Sequence, residues 1–446
     1  MPGRVDRFAW TPLWIVGWIC FSATAASSAP RVRVYEKDVR FALAELQKQC
    51  GGLLQLKKVD WDRVSKQFLK ETKAVKSPQD HLVLLVRLLA RLEDGHASVR
   101  PLAKGKNVRW PDDDKIKTGP GMFWCKSGGK ILAKNSWSSA EKSGLRAGME
   151  IVKVNGAPVA KWLEKRSAEL ADKIGFSTAQ HAYFYACHWG LADTSGTRLQ
   201  LEVRDLKGKK RRITVRYAQA NPVPWGPAFF PENLHGECDV KYGKTPAGFG
   251  YLHVRRCPGD LPEVTDKALA ALGDVPGMIV DFRGNSGGGF DHDAFLGRFI
   301  PEGKQIAFRK RYSSAGPNPY GGPVVVIVDA TVRSAGETGS GIFKEDGRAH
   351  MIGESATAGV SSQKTTIELP SGFFSLYVSV RSNKGRFNNG RGIEGIGVPP
   401  HEVVEYRAAD LGRGVDTLIQ RAEELLREFP QRKVPYDPAR YGWSAR

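Results

Sequence analysis

Three places along the chain carry side chains whose types and spacing could do chemistry. Ser334-Ala335-Gly336-Glu337 follows an apolar run and opens a helical stretch. S-x-x-E there has two readings. In the first it is a capping box, with Ser334 capping the helix and Glu337 reaching back. In the second Ser334 is a nucleophile, helped by a helix N-terminus whose partial positive charge favours negative charge developing nearby. The tetrapeptide alone does not separate them. The second place is Gly284-Asn285-Ser286-Gly287-Gly288-Gly289, where consecutive glycines let backbone N–H groups approach an anion closely. A phosphate cradle is one reading, although the loop lacks the G-K-[ST] ending and a P-loop is rejected; an oxyanion hole is the other. The third is His96 in Asp94-Gly95-His96. An imidazole of pKa about 6.5 suits proton transfer near neutral pH, although a histidine ending a helix is also stabilised by the local dipole. Asp291-His292-Asp293 could suggest a metal, but a lone acidic cluster at a helix start reads as solvated capping. No metal and no organic cofactor are expected.

The elements that must hold these groups differ along the chain. Residues from about 31 to 93 read as helical. Ser77-Pro78-Gln79-Asp80 offers an N-cap, a proline at the first helical position and an acid at the third. Leu82, Leu85, Val86, Leu89 and Leu92 then repeat at helical spacing. Gly95 suits the helix C-terminus, which would hold His96 just past a rigid core element. Residues from about 119 to 217 look like a separate β-rich module, with Asn155-Gly156 a turn and alternating strands at 199–203 and 212–217. From about 248 to 430 the pattern is α/β. Gly250–Val254, Met278–Phe282 and Val324–Val328 are apolar runs typical of buried strands. The glycine loop and Ser334 both follow such strands, where sites in open α/β sheets gather. A final helix is expected from about Val415 to Phe429.

Composition narrows the classes. The chain has 446 residues, 41% hydrophobic and 26% charged, which fits two or three folded domains rather than disorder. Its net charge is +20. The lysines and arginines are scattered, apart from the cluster Lys207, Lys209, Lys210, Arg211 and Arg212, so a general attraction to anionic surfaces is favoured over nucleic-acid binding. Residues 1–25 read as a signal peptide: Arg4 and Arg7, an apolar stretch from Trp10 to Phe21, then Ala23-Thr24-Ala25. Export to the periplasm, cell envelope or exterior follows, with an uncleaved anchor as the alternative. Cys50, Cys125, Cys187, Cys238 and Cys257 remain after the signal, an odd number with no C-x-x-C pair, so neither a disulfide framework nor a zinc site is indicated.

Together these residues resemble a family. Leu92-Glu93-Asp94-Gly95-His96, Asp281-Phe282-Arg283-Gly284-Asn285-Ser286-Gly287-Gly288, Ser334-Ala335-Gly336-Glu337, Gly353-Glu354 and Glu394-Gly395-Ile396-Gly397-Val398-Pro399-Pro400 stand in the order seen in the C-terminal processing (tail-specific) serine peptidases, whose relatives include the core of tricorn protease. The stretch Ser139–Gly156 between the first two motifs resembles a PDZ domain. The resemblance implies a multidomain α+β and α/β protein, with a helical domain at 26–100, a PDZ-like domain at 110–217 and a linker at 218–235. A crotonase/ClpP-like α/β catalytic core at 236–430 and a tail at 431–446 complete it.

The same resemblance makes Ser334 the nucleophile and puts the oxyanion hole on the N–H groups of Gly287 and Ala335. The processing branch takes a lysine as base in a G-K-G-x-x-Q context, but Gly359 stands at that lysine's position and Lys364 lies beyond Gln363. The tricorn-like branch takes a histidine, here His96, oriented through a serine by a glutamate, here Glu394. Gly95 replaces that serine, so Glu394 must act directly or through water, or Asp94 or Ser98 must help. Gly121-Met122-Phe123 is the candidate loop for a peptide's terminal carboxylate. Protein or peptide substrates are the expected partners, and an oligomer is compatible. A catalytically silent peptide-binding scaffold is the competing reading. A carrier of small apolar ligands, like interphotoreceptor retinoid-binding protein, rests on fold analogy alone.

Overall fold

A computed structural model describes residues 29–111, 117–218, 226–307, 311–345 and 347–428. The signal-like segment 1–25, residues 219–225 of the linker and the tail 431–446 lie outside the described residues.

The chain begins with helices α1 (Ala29–Leu56), α2 (Trp61–Glu71) and α3 (Pro78–Ala90). The start of α3 follows from its sequence. Ser77 Oγ accepts the Asp80 N–H at 3.1 Å, and the Asp80 carboxylate accepts the Ser77 N–H at 3.1 Å. Its end departs from expectation. The left-handed residue after α3 is Glu93 (φ 50°), while Gly95 keeps an ordinary φ. Strand β1 (Ser98–Pro101) begins two residues after His96.

An antiparallel sheet follows, with strands β2 (Met122–Ser127), β3 (Lys130–Ser136), β4 (Glu150–Val154), β5 (Arg198–Arg204) and β6 (Lys210–Arg216) side by side in that order. Alternation works as expected: Leu199, Leu201, Val203, Ile213 and Val215 point inward. Asn155 and Gly156 both take positive φ, 48° and 83°, as a tight hairpin turn needs. Besides a one-turn helix at Ser138–Lys142, the module holds α4 (Val159–Ala171) and α5 (Ala179–Cys187), which the strand-like reading did not foresee. In α5 small and aromatic residues are mixed around the helix, so it has no clean polar face to betray its period.

The third region is a seven-stranded sheet: β7 (His235–Gly236), β8 (Val240–Lys244), β9 (Gly250–Val254), β10 (Met278–Asp281), β11 (Val324–Val328), β12 (His350–Gly353) and β15 (Glu402–Val403). From β9 onward neighbouring strands run parallel. Helices cover both faces, so the strands read as continuous apolar runs. Val280 and Val326 pack with α6 (Leu261–Leu272) and α7 (Ala335–Glu345), whereas Ile279, Val325 and Ile327 pack with α8 (Thr417–Glu428).

Strands β13 (Ser362–Glu368) and β14 (Phe374–Ser382) leave this sheet and pair with β1 instead. Ile367, Phe374, Leu376 and Val378 then share one apolar cluster with Phe68, Leu85 and Leu88. The helical layer thus completes its core with strands from the C-terminal half. That joint brings the end of the α3 segment against the α/β region.

Candidate active site

Ser334 sits on the turn between β11 and α7. Its φ is 56°, in the left-handed region, which costs a non-glycine residue about 1–3 kcal/mol unless surrounding structure imposes it. The surroundings do impose it. Ser334 N–H donates to Val360 O at 2.8 Å, and Ser334 O accepts the Glu337 N–H at 3.0 Å. The Glu337 side chain does not reach back. It accepts from Thr357 Oγ1 (2.6 Å), Gly359 N–H (2.7 Å) and Val360 N–H (2.7 Å), and burial pushes its carboxyl up to about 8. The capping-box reading therefore falls, since an N-cap has extended backbone and a reciprocal carboxylate. Ser334 Oγ makes no hydrogen bond among the described residues.

The glycine loop lies beside it. A Cβ on Gly287 (φ 91°) would stand 2.8 Å from Ser334 Cβ, so only glycine permits this approach. The Gly287 N–H, however, already donates to Asn285 Oδ1 at 2.7 Å. The N–H groups of Gly288 and Ala335 have no acceptor among the described residues. Of the two donors expected, Ala335 is thus open and Gly287 is occupied by its own loop. Cys257 ties the loop down, donating its N–H to Gly287 O (3.1 Å) and accepting from the Gly289 N–H (2.9 Å). Asp291 accepts from the N–H groups of Asp293 and Ala294, capping the short helix His292–Gly297.

The His96 segment packs against Val360 from the helical layer. A Cβ on Gly95 would stand 2.5 Å from Val360 Cγ2, the residue whose carbonyl holds Ser334. A serine at 95 would collide there, which is the physical reason for the glycine. Its hydroxyl has a substitute. Ser177 Oγ accepts the Gly95 N–H at 3.1 Å and donates to Glu394 Oε1 at 3.1 Å. Lys57 Nζ donates to the same Oε1 at 2.7 Å and to Glu93 O at 2.5 Å, and Ser361 N–H donates to Glu394 Oε2 at 3.0 Å. Glu394 is fully buried and reaches the histidine segment through Ser177, on the Gly95 N–H, and through Lys57, on the Glu93 carbonyl.

The carboxylate nearest the ring is Asp94, whose Oδ1 accepts the His96 N–H at 2.9 Å and lies 3.9 Å from Nδ1. Nδ1 is buried without a hydrogen-bond partner. Burial pushes the imidazole down to about 4; Asp94 opposes this, while Lys364, Arg333 and Lys57 add to it. His96 and Ser334 are not hydrogen-bonded to each other; in unliganded enzymes such bonds are often long and close on substrate. Neither Lys57 nor Ser177 was singled out from sequence. One reads as a helix-ending lysine and the other as part of the Ser-Thr cap before α5.

Met122 and Phe123 begin β2, an edge strand of the antiparallel module, and Gly121 directly precedes it. Gly121 O accepts the Trp137 N–H at 2.7 Å, and the Met122 and Phe123 side chains are buried, Phe123 lying edge-on to Trp137 and His188.

Residues 248–404 match Peptidase family S41, the serine peptidases that the ordered motifs resemble. The crystal structure of mature CPAF superposes with a TM-score of 0.65 at 14% identity, covering 89% of this chain and 97% of that one, which shows a shared fold. Among curated proteins, a tricorn protease homolog of Streptomyces coelicolor is 23% identical over 403 residues, 86% of this chain and 31% of its own length. The carboxy-terminal processing protease CtpB of Bacillus subtilis is 27% identical over 241 residues, 51% of this chain and 44% of its own. The chain thus spans a third to a half of the length of these two relatives.

Proposed function

We propose that the chain is an exported serine endopeptidase that hydrolyses protein or peptide substrates, with Ser334 as nucleophile and His96 as general base. The observation that carries this reading is the strained Ser334 at a strand–helix turn, with Gly95, the neighbour of His96, packed on Val360, whose carbonyl holds the Ser334 N–H. As Oγ attacks the substrate carbonyl, His96 takes its proton through the nitrogen remote from Asp94. The oxyanion rests on the Ala335 N–H and the glycine loop. There the Gly288 N–H is open, and the Gly287 N–H serves by giving up its bond to Asn285. The imidazolium then protonates the departing amine, and water releases the acyl group by the reverse route. Glu394 acts from behind, through Ser177 and the Gly95 backbone.

The antiparallel module serves as the PDZ-like domain at 110–217, flanked by the helical domain at 26–100 and the crotonase/ClpP-like core at 236–430. An extended peptide would add to the β2 edge, its terminal carboxylate at Gly121-Met122-Phe123. Export rests on the signal-like segment 1–25. Among the described residues no helix is long and apolar enough to cross a membrane.

An activated fluorophosphonate on the purified protein tests the mechanism. The expected adduct, located by mass spectrometry, is on Ser334 and disappears in His96→Ala. A folded protein that never labels supports the silent scaffold instead, a reading favoured by the missing His96–Ser334 hydrogen bond.

A further inference from the structure

Helix α5 has its two ends in different parts of the molecule. Ala186 and Cys187, at its C-terminal end, share an apolar cluster with Met122, Val154 and Leu163 of the antiparallel module. His188, which ends the helix, lies edge-on to Phe123 of β2 with ring centroids 4.5 Å apart. The N-terminal end reaches the loop that pins Ser334. Thr178 Oγ1 donates to Ala358 O at 2.9 Å, and the Gln180 amide Nε2 donates to Thr357 O at 3.2 Å and to Ile396 O at 3.1 Å. Among the described residues no other donor reaches these three carbonyls.

The Ser334 turn depends on that loop. Its Val360 carbonyl accepts the Ser334 N–H at 2.8 Å, and its Ala358 N–H donates to Val332 O at 2.9 Å. Thr357, Gly359 and Val360 donate to the carboxylate of Glu337, on the helix that follows Ser334. Ser361 N–H donates to Glu394 Oε2 at 3.0 Å, and Gly395 N–H donates to Gly359 O at 2.9 Å. By bridging Thr357 and Ile396, Gln180 ties the loop behind Ser334 to the loop that carries Glu394.

The fit is close. A Cβ on Gly359 (φ 75°) would stand 2.5 Å from Thr178 Cγ2. Gly359 is the residue at the lysine position of the processing branch, and the Thr178 methyl group fills the space into which a side chain there would start. A left-handed residue such as Ser334 persists only where its surroundings over-determine it. The bonds from α5 are part of that constraint, although α5 is built on the antiparallel module.

We propose that Gln180 and Thr178 are positioning residues for Ser334: through α5, the antiparallel module holds the turn that presents the nucleophile. The inference rests on the peptidase reading for the role of Ser334, while the clamp on its turn can be measured without that reading.

The test uses the full chain. Gln180→Met keeps an unbranched side chain and removes both donors. Thr178→Val, made independently, removes the hydroxyl and keeps a methyl group beside Gly359. Saturation kinetics of fluorophosphonate inactivation separate the limiting rate from the half-saturating concentration. Hydrogen exchange read by mass spectrometry follows the peptide that contains the Ser334 N–H. Each variant is expected to lower the limiting rate about tenfold with the half-saturating concentration little changed, and to speed exchange at Ser334 by about as much. Gln180→Glu adds a pH signature. Its carboxyl donates one bond when protonated and repels both carbonyls when ionised, so its rate relative to wild type should rise from about pH 8 to about pH 5.5.

A lower urea midpoint with limiting rate and Ser334 exchange unchanged would mean that α5 stabilises only its own module, and it overturns the proposal. The two readings fail separately. If the wild type never labels but Ser334 exchange quickens in Gln180→Met, the peptidase mechanism falls and the clamp stands. If the wild type labels and the variants match it in rate and exchange, only the clamp falls.

Discussion

Two arginines follow neighbouring parallel strands and meet opposite fates. Arg283, after β10, is fully buried. Its guanidinium binds Asp281 (2.6 Å), Asp416 (2.9 Å) and the Tyr406 hydroxyl (2.8 Å), and Tyr251 donates to the same Asp281 carboxylate at 2.9 Å. The Arg333 side chain, after β11, is exposed and makes no ion pair or hydrogen bond among the described residues. A buried charge with its partners in place holds structure; an exposed charge without them is not needed for it. The Arg283 brace joins the glycine loop to the start of α8 through Asp416, whose carboxylate also accepts the N–H groups of Leu418 and Ile419. It therefore fixes the loop on which the oxyanion would rest.

Breaking each arginine in turn tests this contrast hardest. Arg283→Met should cost about 3–5 kcal/mol, because Asp281 and Asp416 are then buried without their cation. Arg333→Met should change stability by less than about 0.5 kcal/mol, the usual range for exposed positions. Urea midpoints read both. Similar losses for the two variants would end the distinction between a buried brace and an exposed side chain.

The same contrast explains what could be read from sequence. Strands β10 and β11 were legible because helices cover both sheet faces and leave uninterrupted apolar runs. Ser334, His96, Glu394 and the glycine loop were legible only as an ordered set, since each has an ordinary structural role when taken singly. The conformation that removes the capping role of Ser334, a positive φ held by the Val360 carbonyl, depends on a residue far along the chain. Ser177 and Lys57 were invisible for a related reason. Their partner Glu394 lies far along the chain, and short polar residues near helix ends are common. The merging of β13 and β14 with the helical layer left no local trace either, because alternating strands look alike whichever core they face.

Ser177 gives the next, smaller effect and asks whether the hydroxyl missing at position 95 is truly supplied from elsewhere. Ser177→Ala leaves the Gly95 N–H and one bond to Glu394 unsatisfied, a loss of about 1–2 kcal/mol if both groups stay buried. If the hydroxyl only supports packing, the urea midpoint falls while the fluorophosphonate labelling rate of the folded protein is unchanged. If it positions His96, that rate falls about tenfold, corresponding to about 1.4 kcal/mol, and Ser177→Thr restores it. An unchanged labelling rate would confine Glu394 to a structural role and leave Asp94 as the carboxylate that orients the base.

Acid should separate the cleft from the brace with the gentlest perturbation. Burial pushes His181 from its ordinary 6.5 down to about 4, and arginine 333 adds to it. Between those values the unfolded chain binds a proton that the folded chain refuses. The His181 contribution is therefore complete above pH 6.5 and is lost as pH falls towards 4, by roughly 1 kcal/mol per pH unit. Asp281 behaves differently. Arg283 holds its carboxyl below the ordinary 3.8 against the opposing effect of burial, so the brace weakens only under more acid conditions. Glu337, raised to about 8, loses stability as pH rises through its own window, so the total slope mixes signs and the informative quantity is a difference. His181 is buried with Nδ1 unpartnered and its ring edge-on to Phe176, which makes His181→Phe a conservative replacement. The stability gap between that variant and the wild type should widen in favour of the variant from pH 6.5 to pH 4.5 and stay constant above pH 7. A gap that does not change with pH would mean that the α5 side of the cleft takes up protons as freely as the unfolded chain, and the field assigned to Arg333 there would be wrong.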